Sequence, residues 1–207
     1  LNLHNTFPFK KIQALTKIKI PHVILASASK SRSKILSAVG VSHQVIPANI
    51  DESQVKLKLI NTDADPLTIA ATLAEMKAQK ISCLHTNSLV IGADQVLDGE
   101  MFNKPKNTDD AKAQLNKLSG KNHTILVSAC IFLNGNVLWR FNDKANMEMR
   151  PLSNSYIDWY INEFKDQVCE TLGAYRIEGL GAQLFTSIDG DFFSILGLPL
   201  LPLLKEL

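Results

Sequence analysis

Leu25-Ala26-Ser27-Ala28-Ser29-Lys30-Ser31-Arg32-Ser33-Lys34-Ile35-Leu36 is the stretch on which the reading of this chain turns. Val23-Ile24-Leu25-Ala26 is short, apolar and partly β-branched, which reads as a buried strand. Ile35, Leu36 and Val39 then follow at helical spacing, Gly40 ends the pattern, and Ser29 is placed to cap the helix. A strand that runs straight into a helix through small residues is a building block of α/β folds, whose ligands favour the carboxyl ends of strands.

Working outward, the same alternation continues. Asp65-Pro66 reads as a cap and first turn, with a helix to about Ile81 carrying Leu67, Ala70, Ala71, Leu73, Ala74 and Ala78. Leu89-Val90-Ile91 reads as a second buried strand, ending near Asp94 and followed by a turn at Asp98-Gly99. A short helix from Thr108 stops before Gly120, and Asn134-Gly135 predicts a hairpin between Ile125–Leu133 and Val137–Phe141. Ser153 opens a helix through Tyr156, Ile157, Tyr160 and Ile161. Gly173–Gly181 reads as a glycine-bearing loop, Leu184–Ile188 as a strand, and Asp189-Gly190-Asp191 as a turn. The long hairpin argues for α/β with a mixed sheet.

Composition narrows the function. The chain has 207 residues, 45% hydrophobic and 20% charged, with 22 basic and 20 acidic side chains for a net charge of +2. That is a globular composition, long enough to hold a core without disulfides, and not that of a strong polyanion binder. No acidic residue precedes Asp51, while Lys10, Lys11, Lys17 and Lys19 lie in a lead segment, read as an N-terminal extension over residues 1–22 ahead of one domain over 23–207. Its basic character lacks the interleaved aromatics of a nucleic-acid module, so no nucleic-acid partner is expected. Phe192–Leu204 is too short and too interrupted to span a bilayer and reads as core. Cys83, Cys130 and Cys169 form no CxxC pair, which fits a reducing cytoplasm and neither a zinc site nor a disulfide framework.

Chemistry-bearing candidates are scattered. A helix N-terminus after a strand attracts anions; here Ser27, Ser29 and Ser31 add hydroxyls and Arg32 a two-pronged phosphate donor. An ordinary capped helix explains the segment equally well. Asp94 is costly after a buried strand unless paired or metal-bound, although a turn role suits it too. Asp51-Glu52, Lys77 and Lys104 (in Asn103-Lys104-Pro105) are common surface types individually. The five histidines show no ligand spacing, and His123 reads as a loop hydrogen-bonding residue. Neither a Walker A loop, a GxGxxG nor a GxSxG elbow occurs. Taken together, anion donors at Ser27, Arg32, Lys77 and Lys104 with carboxylates at Glu52 and Asp94 match metal-assisted phosphoanhydride hydrolysis. Spacing does not prove that these groups converge.

The serial motifs resemble those of the Maf family, septum-formation-inhibitor-like nucleoside triphosphate pyrophosphatases. They run Ile24-Leu25-Ala26-Ser27-Ala28-Ser29 with Arg32, Asp51-Glu52, Leu73-Ala74-Glu75-Met76-Lys77-Ala78, Ile91-Gly92-Ala93-Asp94-Gln95-Val96 and Asn103-Lys104-Pro105. Leu118-Ser119-Gly120-Lys121-Asn122-His123, Gly173-Ala174-Tyr175-Arg176-Ile177-Glu178-Gly179, Ile188-Asp189-Gly190-Asp191 and Gly197-Leu198-Pro199-Leu200 complete the series in family order. The resemblance implies a two-lobed mixed α/β fold with a central cleft, like that of inosine triphosphate pyrophosphatase. It implies a hydrolase acting on acid anhydrides, cleaving a canonical or modified nucleoside triphosphate to monophosphate and pyrophosphate with Mg²⁺ or Mn²⁺. By resemblance, Asp94 is the proton acceptor; Ser27, Arg32, Glu52, Lys77 and Lys104 form the phosphate and metal site, with Glu52 and Asp94 on the metal; Ser31, Gln95 and Glu178 govern base choice. Gln95 and Glu178 match the branch acting on 7-methyl-GTP, whereas the dTTP and UTP branch holds Thr and Gln there. Ala93 departs from the Ser usual in the first branch, and Glu170-Thr171-Leu172 replaces a common Asp-Lys-Ala. The family suggests a homodimer, and no membrane partner is expected. The rival reading is a non-enzymatic nucleotide-binding regulator of cell division, which needs the cations but not the carboxylates.

Overall fold

The structure is a computed structural model, and it describes residues 22–98 and 102–207. The expected extension therefore lies outside the described residues, apart from His22, which opens the first strand. The expected Asp98-Gly99 turn lies outside them beyond Asp98.

Six strands form one mixed sheet in the order β2-β1-β3-β4-β5-β6. They are β1 (His22–Leu25), β2 (His43–Val45), β3 (Ser88–Asp98), β4 (Asn122–Leu133), β5 (Asn136–Met149) and β6 (Phe185–Asp189). β1 pairs in parallel with β2 and β3, while β3 to β6 pair antiparallel. The hairpin turns at Asn134 (φ 51°) and Gly135 (φ 78°), the left-handed pair that a tight hairpin between twisted strands requires. His123, expected in a loop, is instead a buried β4 residue whose Nε2 meets the Tyr175 hydroxyl at 2.9 Å.

Helix caps follow the sequence. α1 (Lys30–Ala38) has Ser29 accepting from the Arg32 amide, and α3 (Pro66–Leu84) has Asp65 accepting from Leu67 and Thr68, with α2 (Glu52–Ile60) between them, capped by Asp51. α3 buries Ala70, Leu73, Ala74 and Ala78 as expected; Leu67 and Ala71 are only half-buried, and Ile69 takes the inner place. α4 (Thr108–Leu118) and α5 (Asn154–Phe164) follow, capped by Asn107 and Ser153. Phe192–Leu204 is divided between α6 (Phe192–Ile195) and α7 (Leu200–Glu206). It buries Leu198, Leu200 and Leu203 but exposes Phe192 and Leu201, so it is amphipathic and not wholly core. Among the described residues no helix is long and apolar enough to cross a membrane.

The interior is divided. One cluster joins Leu97 and Ile125 to α4, α5 and the segment through Tyr175, Ile177 and Phe185. Others pack β1, β3 and β4 between α3 on one face and α1 and α7 on the other. The cleft opens between these two parts because β1 stops: Leu25 faces Ile91, and β3 runs on to Asp98 with no strand on that side among the described residues. Asp94, expected at a strand end, therefore sits within a long strand, on a segment whose outer edge borders the cleft.

Candidate functional site

β3 presents successive side chains to opposite faces. Gly92 and Asp94 face α3, while Ala93 and Gln95 face α1 and the turn before α7. Gly92 is where α3 touches the sheet: a Cβ there would lie 2.2 Å from the Ala74 carbonyl oxygen and 2.8 Å from the Ala78 Cβ. This close approach carries Lys77, one turn along α3, onto Asp94.

The Lys77 ammonium donates to Asp94 Oδ1 at 2.6 Å and lies 2.8 Å from Glu52 Oε1, so it bridges a β3 carboxylate and the first residue of α2. Lys77 and Asp94 are both buried, whereas the Glu52 side chain is 44% exposed. Burial favours the neutral form of Glu52, but the Lys77 charge and hydrogen bond outweigh it and hold the carboxyl below its ordinary range.

On the other face, Arg32 is buried and tied down. Its Nε donates to the Gly197 carbonyl (2.7 Å), and its Nη1 donates to both the Ala93 carbonyl (2.8 Å) and Ser27 Oγ (3.0 Å). The Ala93 carbonyl lies on the edge that β1 leaves uncovered. Expected as a two-pronged phosphate donor, Arg32 has three of its five N–H groups committed to the protein. Burial lowers its pKa, partly offset by Asp94 and Glu52. Lys104 is lowered as well, by burial first and then by the nearby Arg32. Gly197 (φ 98°) has no room for a side chain: a Cβ would fall 2.4 Å from Gln95 Oε1.

A cavity of about 540 Å³ gathers every residue singled out from the sequence: Ser27, Ser31, Arg32, Glu52, Lys77, Asp94, Gln95, Lys104 and Glu178. The cations and carboxylates are near enough for mutual electrostatic influence. Leu97, Ile125, Tyr175 and Ile177 add an apolar wall from the second part of the core. Glu178 reaches this wall with Oε1 held by Arg176 Nε and Nη2, each at 3.2 Å. Glu170 lines the mouth and pairs with Lys30 at 2.6 Å.

Sequence reasoning missed Lys56 and the apolar wall as site components and held Asn103 only as part of a motif. Lys56 Nζ donates to Asn103 Oδ1 at 3.3 Å across the mouth. The Asn103-Lys104-Pro105 motif marked Asn103, but nothing marked Lys56, because α2 buries no residue and has little periodicity to read.

The donor set suits a divalent cation held jointly with phosphate. Asp94 Oδ2 is buried with no hydrogen-bond partner among the described residues, and Glu52 shares the Lys77 ammonium with Asp94. Among the described residues no group of three or more His, Cys, Asp or Glu could form a closed protein cage. Mg²⁺ characteristically takes one or two carboxylates and completes its shell with water and substrate phosphates, so these two residues fit it.

Comparison with known proteins adds three findings. The family model described as "Maf-like protein" matches residues 22–207. A "Nucleoside triphosphate pyrophosphatase" from Roseobacter denitrificans is 44% identical over 187 residues, 89% of this chain and 94% of its own length. A "7-methyl-GTP pyrophosphatase" from Brucella abortus biovar 1 is 42% identical over the same shares of both chains.

Proposed function

Since the chain belongs to the Maf family, we propose that it hydrolyses a nucleoside triphosphate to the monophosphate and pyrophosphate, with 7-methyl-GTP or a related guanine nucleotide favoured over dTTP and UTP. The observation that carries this reading is the Lys77 bridge between Asp94 and Glu52 within a cavity that also holds Arg32, Ser27 and Lys104. A simple nucleotide binder gains from the cations alone. Two carboxylates beside them repel a triphosphate, and their presence is accounted for by chemistry on water and metal.

In this mechanism water attacks the α-phosphorus, the bond from that phosphorus to the bridging oxygen breaks, and pyrophosphate leaves. Asp94 takes the proton from water at Oδ2, since Oδ1 is held by Lys77. Lys77 fixes the rotation of that carboxylate and offsets its charge. Lys104 and Ser27 face the phosphates, where positive charge and donors stabilise the charge growing on the leaving group. Glu52 and Asp94 would hold a divalent cation, which would supply further charge neutralisation and lower the pKa of a bound water.

Base choice follows from the other end. The guanine edge carries N1–H and N2–H, which a carboxylate accepts, whereas a pyrimidine offers one ring N–H flanked by carbonyls. Glu178, oriented by Arg176, and Gln95, whose buried Oε1 has no partner among the described residues, suit the first pattern. N7-methylation makes the base cationic and strengthens its attraction to Glu178. The Brucella relative's name agrees.

The test is a panel of 7-methyl-GTP, GTP, dTTP and UTP assayed for pyrophosphate release with Mg²⁺, Mn²⁺ or chelator. The expected result is metal-dependent release, with the largest kcat/KM on 7-methyl-GTP. No pyrophosphate from any of a broad set of triphosphates would refute the enzymatic reading.

A further inference from the structure

We propose that Arg32 acts on the triphosphate through Ser27. Together with the Ser29 amide it fills both acceptor positions of the Ser27 hydroxyl, so that the one proton of that hydroxyl is delivered into the cavity as a dedicated donor to a phosphate oxygen. This rests on the pyrophosphatase reading of the cavity and assigns Arg32 a positioning role within it.

The argument is one of donors and acceptors. A serine hydroxyl has one donor and two acceptor lone pairs. Ser27 Oγ accepts from the Ser29 backbone N–H at 3.2 Å and from Arg32 Nη1 at 3.0 Å. Neither neighbour can accept in return: a backbone N–H is only a donor, and a guanidinium carries no acceptor. Among the described residues nothing accepts the hydroxyl proton, and Ser27 is buried at the cavity wall. The O–H is therefore left to an acceptor that enters the cavity. Hydrogen bonds accepted from a charged group polarise the hydroxyl and strengthen its donation, as they do along hydrogen-bonded chains.

The anchoring of Arg32 supports the same division of labour. Nε is taken by the Gly197 carbonyl, and Nη1 is shared between the Ala93 carbonyl and Ser27. The guanidinium thereby joins the β1–α1 turn, the free edge of β3 and the turn before α7. A phosphate clamp needs a fork free for the ligand, and here Nε and Nη1 are committed to the protein. Gly197 secures the arrangement, since a Cβ there would lie 3.2 Å from both Arg32 Nε and Nη2.

A double-mutant cycle tests the assignment, using the full chain with Mg²⁺ and the best triphosphate of the panel. Ser27→Ala, Arg32→Lys and the double variant are compared with the parent by kcat/KM, with thermal melting to confirm folding. A hydrogen bond to a charged group predicts a loss of about 10- to 150-fold for Ser27→Ala. Arg32→Lys should cost a similar factor in the parent background and less than about 3-fold more once Ser27 is alanine, because the path through Ser27 is already gone. Losses that multiply would show Arg32 acting independently of Ser27 and overturn the proposal. Ser27→Thr keeps the hydroxyl and should recover activity to within about 10-fold of the parent. Equal losses for Ser27→Thr and Ser27→Ala, or none for Ser27→Ala, would overturn the proposal even if Arg32→Lys fails to fold. A parent that releases no pyrophosphate refutes the pyrophosphatase reading itself, whereas an active parent with multiplying losses refutes only the role given to Arg32.

Discussion

Replacing Asp94 by asparagine separates chemistry from packing at the centre of the site. The amide is nearly isosteric with the carboxylate, and its oxygen can keep the bond that Oδ1 accepts from Lys77 at 2.6 Å. Lys77 also retains Glu52 at 2.8 Å, so its ammonium is not left unpaired. What changes is the charge on the acceptor. A hydrogen bond to a charged group contributes about 1.5–3 kcal/mol and a neutral one about 0.5–1.5 kcal/mol, so stability should fall by roughly 1–1.5 kcal/mol. For a chain of this size that lowers Tm by about 2–6 °C. Catalysis should suffer far more. The Nδ2 that replaces Oδ2 donates and cannot accept a proton from water, and loss of a general base costs about 10²–10⁴-fold. The measurement is pyrophosphate release under saturating Mg²⁺ and nucleotide, with melting followed by circular dichroism. A folded Asp94→Asn variant with kcat within a few-fold of the parent would refute the reasoning and reduce Asp94 to a structural partner of Lys77.

Gly92→Ala forces a Cβ to within 2.2 Å of the Ala74 carbonyl oxygen; we expect a loss at the upper end of about 1–3 kcal/mol, seen as a lower denaturation midpoint, together with reduced kcat as Lys77 is displaced from Asp94. Burial lowers the pKa of His123 to about 4, while its unfolded value is about 6.5. The unfolded chain therefore binds the extra proton first, and stability should fall as pH drops from about 6.5 to 4; His123→Gln should flatten Tm against pH in that window, and an unchanged slope would assign it to other groups. Glu178→Gln should reduce kcat/KM on guanine-type triphosphates about 5- to 150-fold more than on UTP or dTTP, since it removes a charged acceptor; an unchanged ratio would remove Glu178 from base selection.

Local signals carried much of the fold. Ser29 and Asp65 cap the helices they were expected to cap, the helix expected from Ser153 starts there with Ser153 as its cap, and Asn134-Gly135 makes the central hairpin, because caps and tight turns depend on a few adjacent residues and their own backbone geometry. The serial motifs likewise named the residues that share one cavity. Their order along the chain is a property of the sequence and needs no coordinates. Three things depended on long-range packing. β3 continues through Asp94 because β4 pairs with it as far as Asp98, and strand length is set by partners as well as by composition. His123 is a core residue because Tyr175, 52 positions away, supplies its hydrogen bond. Above all, the partners of the charged groups were decided in three dimensions. Lys77, Arg32 and Glu52 are residue types that ordinarily stay in water. Only the close approach of α3 at Gly92, and the edge left open where β1 ends, bring Lys77 between two carboxylates and turn Arg32 inward onto Ser27. Short-range sterics can be read from neighbouring residues, whereas the energy of a charge depends on what surrounds it, and that is set by the whole fold.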